Sequence, residues 1–213
     1  AVTRVGDYSA HSVAEHALLL TLALVRHLPQ AMLRTKAFNF ALDDLLGFDL
    51  HSKTIGIIGT GRIGSVFAGI LRGLGCQVLG YDICPNADFD AHGGHSVTLA
   101  ELQNRSDVIS LHCALNAQTH HLLDAGFLSQ CKRGILLINA SRGMVVDTEA
   151  VLAALHNGQL GGFGMDVYER EAGLFFSDRS QDVYKDPLLS ELMAMPNVIV
   201  TGHQGFLTEQ ALT

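Results

Sequence analysis

A glycine-rich turn, set between a predicted strand and a predicted helix, constrains the fold of this chain more than any other feature. Residues 54–58 form an apolar run typical of a buried strand, and the sequence Gly-Thr-Gly-Arg-Ile-Gly follows directly at 59–64. A helical pattern then runs over 63–74 and ends among glycines. A G-x-G-x-x-G turn in this strand-to-helix setting predicts a helix N-terminus that binds a pyrophosphate, and hence a dinucleotide site.

Each glycine of the turn has its own physical task. We expect Gly59 to permit the tight turn, Gly61 to let a pyrophosphate approach the backbone, and Gly64 to let the helix pack on the strand. Asp82 ends the next predicted strand, where a carboxylate binds ribose hydroxyls; because 83–85 contains no Lys or Arg, NAD is favoured over NADP. Two alternatives stay open: a turn that needs glycine only for packing, and a methyltransferase, whose cofactor site uses similar residues.

The apolar runs that follow predict a parallel sheet. Strands are expected at 77–81, 107–111, 135–138, 162–167 and 198–200, with a capped helix from Thr98 and another over 148–156. Strands that are apolar throughout and alternate with helices are typical of sheets covered on both faces. Because no Pro- or Ser-rich linker interrupts 53–203, we expect one doubly wound α/β domain with a parallel sheet, a Rossmann-like NAD-binding domain.

A long apolar segment precedes the first predicted strand. Residues 12–28 predict a helix that is opened by a capping box of Ser12 and Glu15 and ends near Pro29. Because this helix is apolar on nearly every side, we expect it to be buried in the core or against another subunit. Residues 30–52 are mixed in character and predict irregular structure or a short helix.

Composition narrows the classes of function. Of the 213 residues, 48% are hydrophobic and only 16% are charged, against about 25% in an average soluble domain, which excludes a disordered chain. The net charge of −7 leaves no basic surface for nucleic acid, and the apolar stretch 17–25 is too short to span a membrane. The low charge predicts burial of surface in an oligomer, or a missing part of the protein; the first residue, Ala1, favours a fragment or a processed chain.

The cysteines and the paired histidines do not predict a metal site. The spacing of the cysteines is irregular and contains no C-x-x-C pair, so we interpret them as reduced, mostly buried thiols of a cytosolic protein: Cys76, Cys84, Cys113 and Cys131. The histidine pairs at 92/95 and 120/121 lack cysteine or carboxylate partners at the usual ligand spacing.

Polar residues follow the predicted strand ends, which is where parallel α/β sheets bind ligands. Arg142 follows the fourth predicted strand and offers paired hydrogen bonds to a carboxylate, although it suits a surface ion pair as well. His203 follows the sixth and suits proton transfer near neutral pH, unless it only begins a helix. A carboxylate partner would raise its pKa, and the spacing does not choose between Glu169 and Glu171. Together these residues predict hydride transfer at a carbon that bears a hydroxyl or keto group beside a carboxylate.

These motifs together resemble the D-isomer-specific 2-hydroxyacid dehydrogenases. The turn at 59–64, Asn-Ala-Ser-Arg-Gly at 139–143, Met-Asp-Val-Tyr-Glu-Arg-Glu at 165–171 and Gly-His-Gln at 202–204 occur in the order of that family. Within the family the chain is most similar to the bacterial fermentative D-lactate dehydrogenases, on the segments 1–5, 35–40, 174–176 and 201–208. The resemblance runs from end to end of the chain.

The resemblance implies a catalytic role for three residues. Arg142 corresponds to the arginine that binds the substrate carboxylate and polarises the keto oxygen, and His203 corresponds to the acid/base. Glu171 corresponds to the carboxylate that orients the histidine, and Phe206 to an aromatic residue near the side chain of the substrate. The implied reaction is the reduction of pyruvate by NADH to D-lactate. The family also contains transcriptional corepressors, so an NAD(H)-binding regulatory module without turnover is the alternative.

The resemblance also implies a set of cofactor-binding residues. Arg62 and Ile63 correspond to pyrophosphate contacts, Asp82 to the ribose-binding acid, and Asp166 to a residue near the nicotinamide carboxamide. The full set is Gly59, Gly61, Arg62, Ile63, Gly64, Asp82, Cys113, Ala114, Asn139, Ser141 and Asp166. The chain departs from the family pattern at three positions, Gly6 and Ala114 where proline is usual and Gly205 where alanine is usual; we expect small effects.

Members of this family have two lobes, and the resemblance implies that the substrate lobe is largely absent here. Residues 1–10 correspond to a remnant of the crossing from that lobe, 11–205 to the NAD-binding domain with a dimer-contact helix at 12–28, and 206–213 to the start of the return. We therefore expect a cytoplasmic homo-oligomer, a dimer or larger, whose isolated NAD-binding domain is poorly active.

Overall fold

The structure, a computed structural model, describes residues 9–84, 86–182 and 186–212, and its elements alternate as predicted. The strands are β1 (Thr54–Ile58), β2 (Gln77–Tyr81), β3 (His95–Ser96), β4 (Val108–Leu111), β5 (Ile135–Asn139), β6 (Leu160–Met165) and β7 (Val198–Val200). The helices are α1 (Ala10–Val25), α2 (Leu28–Lys36), α3 (Arg62–Gly73), α4 (Ala87–Ala91), α5 (Leu99–Arg105), α6 (Ala125–Ser129), α7 (Thr148–His156), α8 (Pro187–Ala194) and α9 (Glu209–Leu212). The predicted strands lie within two residues of their predicted bounds, whereas β3, α4 and α6 have at most five residues and were not predicted; α8 was not predicted either.

The strand order places a crevice beside the glycine-rich turn. Within the described residues the order is β3-β2-β1-β4-β5-β6-β7, and the strand pairs are parallel. The chain runs outward from β1 through β2 to β3 and then returns to β4 on the other side of β1, so the order reverses between β1 and β4. Ligands of doubly wound sheets bind at this switch point. The predicted doubly wound α/β fold is confirmed.

Helices cover both faces of the sheet because its strands are apolar on both. Ile57 packs with Leu20 of α1 and Phe67 of α3 on one face. Ile58, the next residue, points the other way and packs in the cluster that contains Leu102 of α5. A fully buried side chain of this size contributes about 1.5–3 kcal/mol, so the two clusters hold the strand ends firmly in place.

Helix α1 begins earlier than predicted and lacks the predicted capping box. Its N-cap is Ser9, so Ser12 lies within the first turn, where its hydroxyl pairs with that of Thr208 at 2.8 Å. The capping prediction is therefore wrong, because Ser12 is already inside the helix. The helix ends at Val25, since His27 adopts a left-handed conformation with φ 48° and caps α2, which has Pro29 in its first turn.

Within the single chain, part of the apolar surface of α1 and of the segment that follows α2 is exposed. One side of α1 packs on the sheet, but Leu19 is 53% exposed. Residues 37–53 are irregular, as predicted, and display a series of exposed apolar side chains: Phe38, Phe40, Leu42 and Leu46. Within the described part of the chain, no helix combines the length and the hydrophobicity needed to cross a membrane.

The cysteines are free thiols, as expected, but they are less buried than predicted. Cys76 and Cys131 are buried, Cys113 is half-buried and Cys84 is exposed just beyond β2. The expectation of mostly buried thiols is thus met by only two of them, because the other two follow strand ends at the edge of the crevice. The predicted remnant at 1–10 lies almost entirely outside the described residues, as does the similar segment 1–5.

Candidate active site

Two adjoining cavities extend along the carboxyl edge of the sheet. The larger, about 490 Å³, is lined by residues that follow β4, β5, β6 and β7, together with Ile63 of α3. The smaller, about 340 Å³, lies at the switch point and is lined by Gly59, Gly61 and Asp82. Both are lined by residues 112–114, so they form one cleft. An elongated cleft that begins at a glycine-rich turn matches the shape of a dinucleotide with a substrate at its far end.

The three glycines of the turn differ in what surrounds them. Gly59 has a φ of +99°, and a side chain there would overlap the backbone of Cys113. A side chain at Gly64 would overlap the carbonyl oxygen of Gly59, whereas one at Gly61 would have nothing within 4 Å. This space in front of the N-terminus of α3 fits a pyrophosphate. The predicted contacts Arg62 and Gly64 are not among the residues that line the two cavities.

Asp82 connects the end of β2 to the turn. Its carboxylate accepts hydrogen bonds from the backbone N–H groups of Thr60 at 2.8 Å and Cys84 at 3.1 Å. A carboxylate has about four acceptor positions, so ribose hydroxyls can bind as well. The residue therefore fits the adenosine half of a dinucleotide while it also shapes the turn.

Asn139 shapes the loop that carries Arg142. Buried at the end of β5, it accepts from the backbone N–H of Ser141 at 3.1 Å and from its hydroxyl at 3.0 Å, and donates to the carbonyl of Arg142 at 3.1 Å. Ser141 and Arg142 line the larger cavity, and Asn139 is not among its lining residues. The side chain of Asn139 thus holds its own loop in this geometry, and its contact with the cofactor stays a prediction.

The predicted histidine and one of the two candidate glutamates form a pair. His203 Nδ1 lies 2.9 Å from Glu171 Oε1, and the other Glu171 oxygen accepts from the N–H of Tyr168 at 3.0 Å. The hydrogen bond to Glu171 raises the pKa of His203 and outweighs burial, which lowers it. Burial raises the pKa of Glu171, but the bonds from His203 and Tyr168 prevail and lower it. The pair therefore favours an imidazolium beside a carboxylate, with Nε2 as the nitrogen left for proton transfer.

Glu169, the other candidate, faces a different histidine. Its Oε1 lies 2.7 Å from Nε2 of His121, and its Oε2 accepts from the N–H of Thr148 at 3.1 Å. Its carboxylate is thereby committed to the N-terminus of α7. The choice that the spacing left open is decided by the tertiary structure in favour of Glu171.

Asp166 anchors the segment that carries His203. It is 2% exposed, and its oxygens accept from the hydroxyl of Thr201 at 2.6 Å and from the N–H groups of Gln204 at 2.9 Å and Gly205 at 2.7 Å. His16 Nε2 of α1 lies 3.2 Å from the same carboxylate. Burial raises the pKa of Asp166, but the bonds from His16 and the other donors lower it to about 2. The sequence carries no local signal for His16, which comes from a distant helix.

The remaining predicted residues lie in or beside the cleft. Phe206 lines the larger cavity with its ring centroid 6.4 Å from that of His203. Cys113 and Ala114 line both cavities, and burial raises the pKa of the Cys113 thiol to about 11, so this thiol is not a nucleophile at neutral pH. His112 lines both as well, although it was not in the predicted set; burial lowers its pKa to about 4, so it is neutral.

Metal ligation finds no support in the geometry that is described. Among residues 9–84, 86–182 and 186–212, no group of three or more His, Cys, Asp or Glu side chains is arranged to hold a metal ion. His120 and His121 stack with ring centroids 4.2 Å apart, and His121 binds Glu169.

Known proteins resemble this chain in both sequence and structure. Residues 18–205 match the family model described as D-isomer specific 2-hydroxyacid dehydrogenase, NAD binding domain. The D-lactate dehydrogenase of Escherichia coli (strain K12) is 45% identical over 212 residues, which is 100% of this chain and 64% of that protein. The pyruvate reductase of Chlamydomonas reinhardtii superposes with a TM-score of 0.94 at 43% identity, covering 98% of this chain and 63% of that one.

A third similar structure is the D-lactate dehydrogenase from Aquifex aeolicus complexed with NAD and lactic acid. It superposes with a TM-score of 0.89 at 39% identity and covers 97% of this chain and 63% of that one. The chain spans about 64% of the length of the curated relatives that it matches. Because residues 18–205, most of the chain, match this family model, the chain belongs to the D-isomer-specific 2-hydroxyacid dehydrogenases and contains their NAD-binding domain.

Proposed function

We propose that the protein carrying this chain transfers a hydride between NADH and a small 2-oxo acid, with pyruvate and D-lactate as the pair. The observation that carries the proposal is the hydrogen-bonded pair of His203 and Glu171, which lines the same cavity as Arg142. That cavity adjoins the glycine-rich turn through residues 112–114. Relatives named D-lactate dehydrogenase, one of them complexed with NAD and lactic acid, support the substrate class.

The cofactor site suits NAD(H). The open space at Gly61 and the carboxylate of Asp82 fit a pyrophosphate and an adenosine ribose, and Ile63 and Ser141 line the cavity beyond them. When bound, the nicotinamide supplies the hydride for reduction or accepts it in the reverse direction.

Arg142 and His203 divide the work on the substrate. The guanidinium of Arg142 binds the carboxylate through two parallel hydrogen bonds and draws electron density towards the keto oxygen. In the reduction, Nε2–H of His203 gives its proton to that oxygen, which becomes the hydroxyl, and Glu171 stabilises the imidazolium before the transfer. In the oxidation, the neutral imidazole takes the proton back.

This division of work gives the reaction a definite pH dependence. Because the bond to Glu171 raises the pKa of His203, the imidazolium persists to a higher pH than that of an ordinary histidine. We expect the rate of pyruvate reduction to fall as the pH rises through this raised pKa, and the rate of lactate oxidation to rise over the same interval.

The exposed apolar residues support assembly as a homodimer. Leu19 of α1 and Phe38, Phe40 and Leu46 of the following segment are all more than half exposed, which is unfavourable for apolar side chains in water. We propose that a second copy of the chain covers this surface, with the segment 12–28 in the contact. The free thiols support a cytoplasmic location, where disulfides are rare.

The proposal is tested first by cofactor binding. Titration of the chain with NADH, followed by fluorescence, is repeated with NADPH and with S-adenosylmethionine. We expect binding of NADH, weaker binding of NADPH because of Asp82, and none of S-adenosylmethionine. Preferred binding of S-adenosylmethionine would support the methyltransferase alternative instead.

Turnover is tested in a protein that carries this chain and has the length of its relatives. There, His203→Ala is expected to lower kcat for pyruvate while NADH affinity stays largely intact; a large loss of NADH affinity would show that the histidine has another role. NADH binding with no turnover in the unaltered protein would favour a regulatory module. The 213-residue chain by itself is expected to turn over pyruvate poorly, because the open cleft does not exclude water, and near-full activity would contradict this.

A further inference from the structure

An exposed aromatic residue lies against the ring of His203. The ring centroid of Phe176 is 5.4 Å from that of His203, and the two planes are inclined by 40°. Phe176 is nevertheless 72% exposed and has a φ of +63°, a left-handed conformation that is costly for a bulky residue. Burial of apolar surface does not explain such a residue, since most of its surface remains in water.

The residues on both sides of Phe176 are held by contacts that do not involve His203. Leu174 and Phe175 pack against the core on the preceding side. On the following side, Arg179 donates to the carbonyl of Gly173 at 2.6 Å and to the hydroxyl of Ser177 at 3.1 Å, which closes the loop on itself. Phe176 therefore reaches the imidazole because the loop projects it there.

The charges around His203 show what an aromatic ring adds. Glu171 and Asp166 favour the imidazolium, and Arg142, which lines the same cavity, disfavours it. The bond to Glu171 already outweighs the effect of Arg142 on His203, and an aromatic ring would add to the effect of Glu171. The face of an aromatic ring within about 6 Å of a cation attracts it.

We propose that Phe176 is a positioning residue, which keeps the His203 imidazole in its Glu171-bonded orientation and favours its protonated form through contact with the aromatic ring. The proposal rests on the role of His203 as the acid/base in the proposed function. It assigns a function to the loop at 173–182, which the transfer reaction itself does not use. It also predicts that the aromatic character of residue 176, and not only its bulk, matters.

The test is a pH titration of the His203 ring by NMR in the 213-residue chain with labelled histidine, the signal being assigned by its loss in His203→Gln. Phe176→Leu keeps an apolar side chain but removes the ring, and we expect it to lower the measured pKa of His203 by about 0.5. Phe176→Tyr is expected to leave the pKa unchanged. Phe38→Leu, which replaces a phenylalanine that is 86% exposed elsewhere, is the matched control and is expected to leave the pKa of His203 unchanged.

The outcomes separate this proposal from the proposed function. An unchanged pKa of His203 in Phe176→Leu would overturn the proposal about Phe176. A raised pKa would overturn it as well, because the ring would then act mainly by shielding the imidazolium from water, which disfavours the charged form. Glu171→Gln is expected to lower the pKa of His203 in any case, which shows that the titration reports on the pair. Failure to bind NADH, with the Phe176 effect present, would count against the proposed function alone.

Discussion

The carboxylate of Asp166 gives the sharpest prediction about how this chain holds its site together. It accepts hydrogen bonds from the side chain of Thr201 and from the backbone of Gln204 and Gly205, and so fixes the segment that carries His203. Asp166→Asn keeps the shape of the side chain but removes the charge. An amide also offers only one oxygen, so a backbone N–H that now meets an oxygen would meet an NH₂ group.

The magnitude follows from the pKa. A change from an ordinary value of 3.8 to about 2 in the fold corresponds to about 2.4 kcal/mol of stabilisation at neutral pH. An unsatisfied buried donor costs about 1–3 kcal/mol. This cost and the stabilisation of about 2.4 kcal/mol describe the same hydrogen bonds, so the two values are not added. We therefore expect Asp166→Asn to lower the free energy of unfolding by about 2–3 kcal/mol at pH 7, which is a decrease in Tm of about 5–10 °C for a chain of this size.

The pH dependence of this deficit has a definite sign. Because the pKa of Asp166 is lowered in the fold, its contribution is fully present above the ordinary value of 3.8 and is lost as the pH falls towards about 2. Urea unfolding followed by circular dichroism, at several pH values from 7 down to the lowest at which the chain stays folded, measures it. We expect a constant deficit between pH 7 and pH 5 that begins to shrink near pH 4.

Asp43→Asn, at an exposed carboxylate in the irregular segment, is the matched control and is expected to change the free energy of unfolding by less than about 0.5 kcal/mol. A deficit in Asp166→Asn as small as that of the control would refute the anchoring role. So would a deficit that grows as the pH falls, because the carboxylate would then be destabilising in its charged form.

Five further substitutions, two matched pairs and one single change, test other parts of the site. Gly61→Ala is expected to leave stability unchanged, since its methyl group enters open space, but to weaken NADH binding about tenfold or more, since that space is where we expect the pyrophosphate. Gly64→Ala is expected to lower the free energy of unfolding in urea by about 1–3 kcal/mol, since its methyl group overlaps a carbonyl oxygen. Equal effects of the two substitutions on stability would contradict this reasoning. Glu171→Gln is expected to move the upper pH limit of pyruvate reduction to lower pH, and Glu169→Gln to leave that limit in place. The reverse result would show that Glu169, and not Glu171, is the partner of His203. Gly143→Ala is expected to destabilise the chain by about 1–3 kcal/mol in the same unfolding assay, because a side chain there overlaps the backbone at 168–169, and an unchanged free energy would contradict the close approach.

Local patterns in the sequence were sufficient for most of the fold. The apolar runs at 54–58, 77–81 and 135–138 predicted strands because a strand buried on both faces must be apolar at every position. The glycine turn at 59–64 predicted the switch-point crevice because its spacing occurs where a strand meets a helix. The start of α1 was misplaced, since Ser12 and Glu15 have the spacing of a capping box but lie inside the helix. Pattern alone does not reveal whether a serine hydroxyl meets its own backbone or a distant Thr208.

The sequence by itself determined the sheet, its covering helices and the strand ends at which Arg142 and His203 stand, because these depend on hydrophobic periodicity along one segment. The spacing did not choose between Glu169 and Glu171, and the resemblance implied Glu171; the tertiary structure shows the contact itself, since the directions of the two side chains depend on which donors surround their turn. The tertiary structure likewise brings the imidazole of His16 to the carboxylate of Asp166 and the ring of Phe176 to that of His203. Side-chain contacts between segments far apart in the chain are fixed by how helices and loops pack on the sheet, and no short stretch of sequence contains that information.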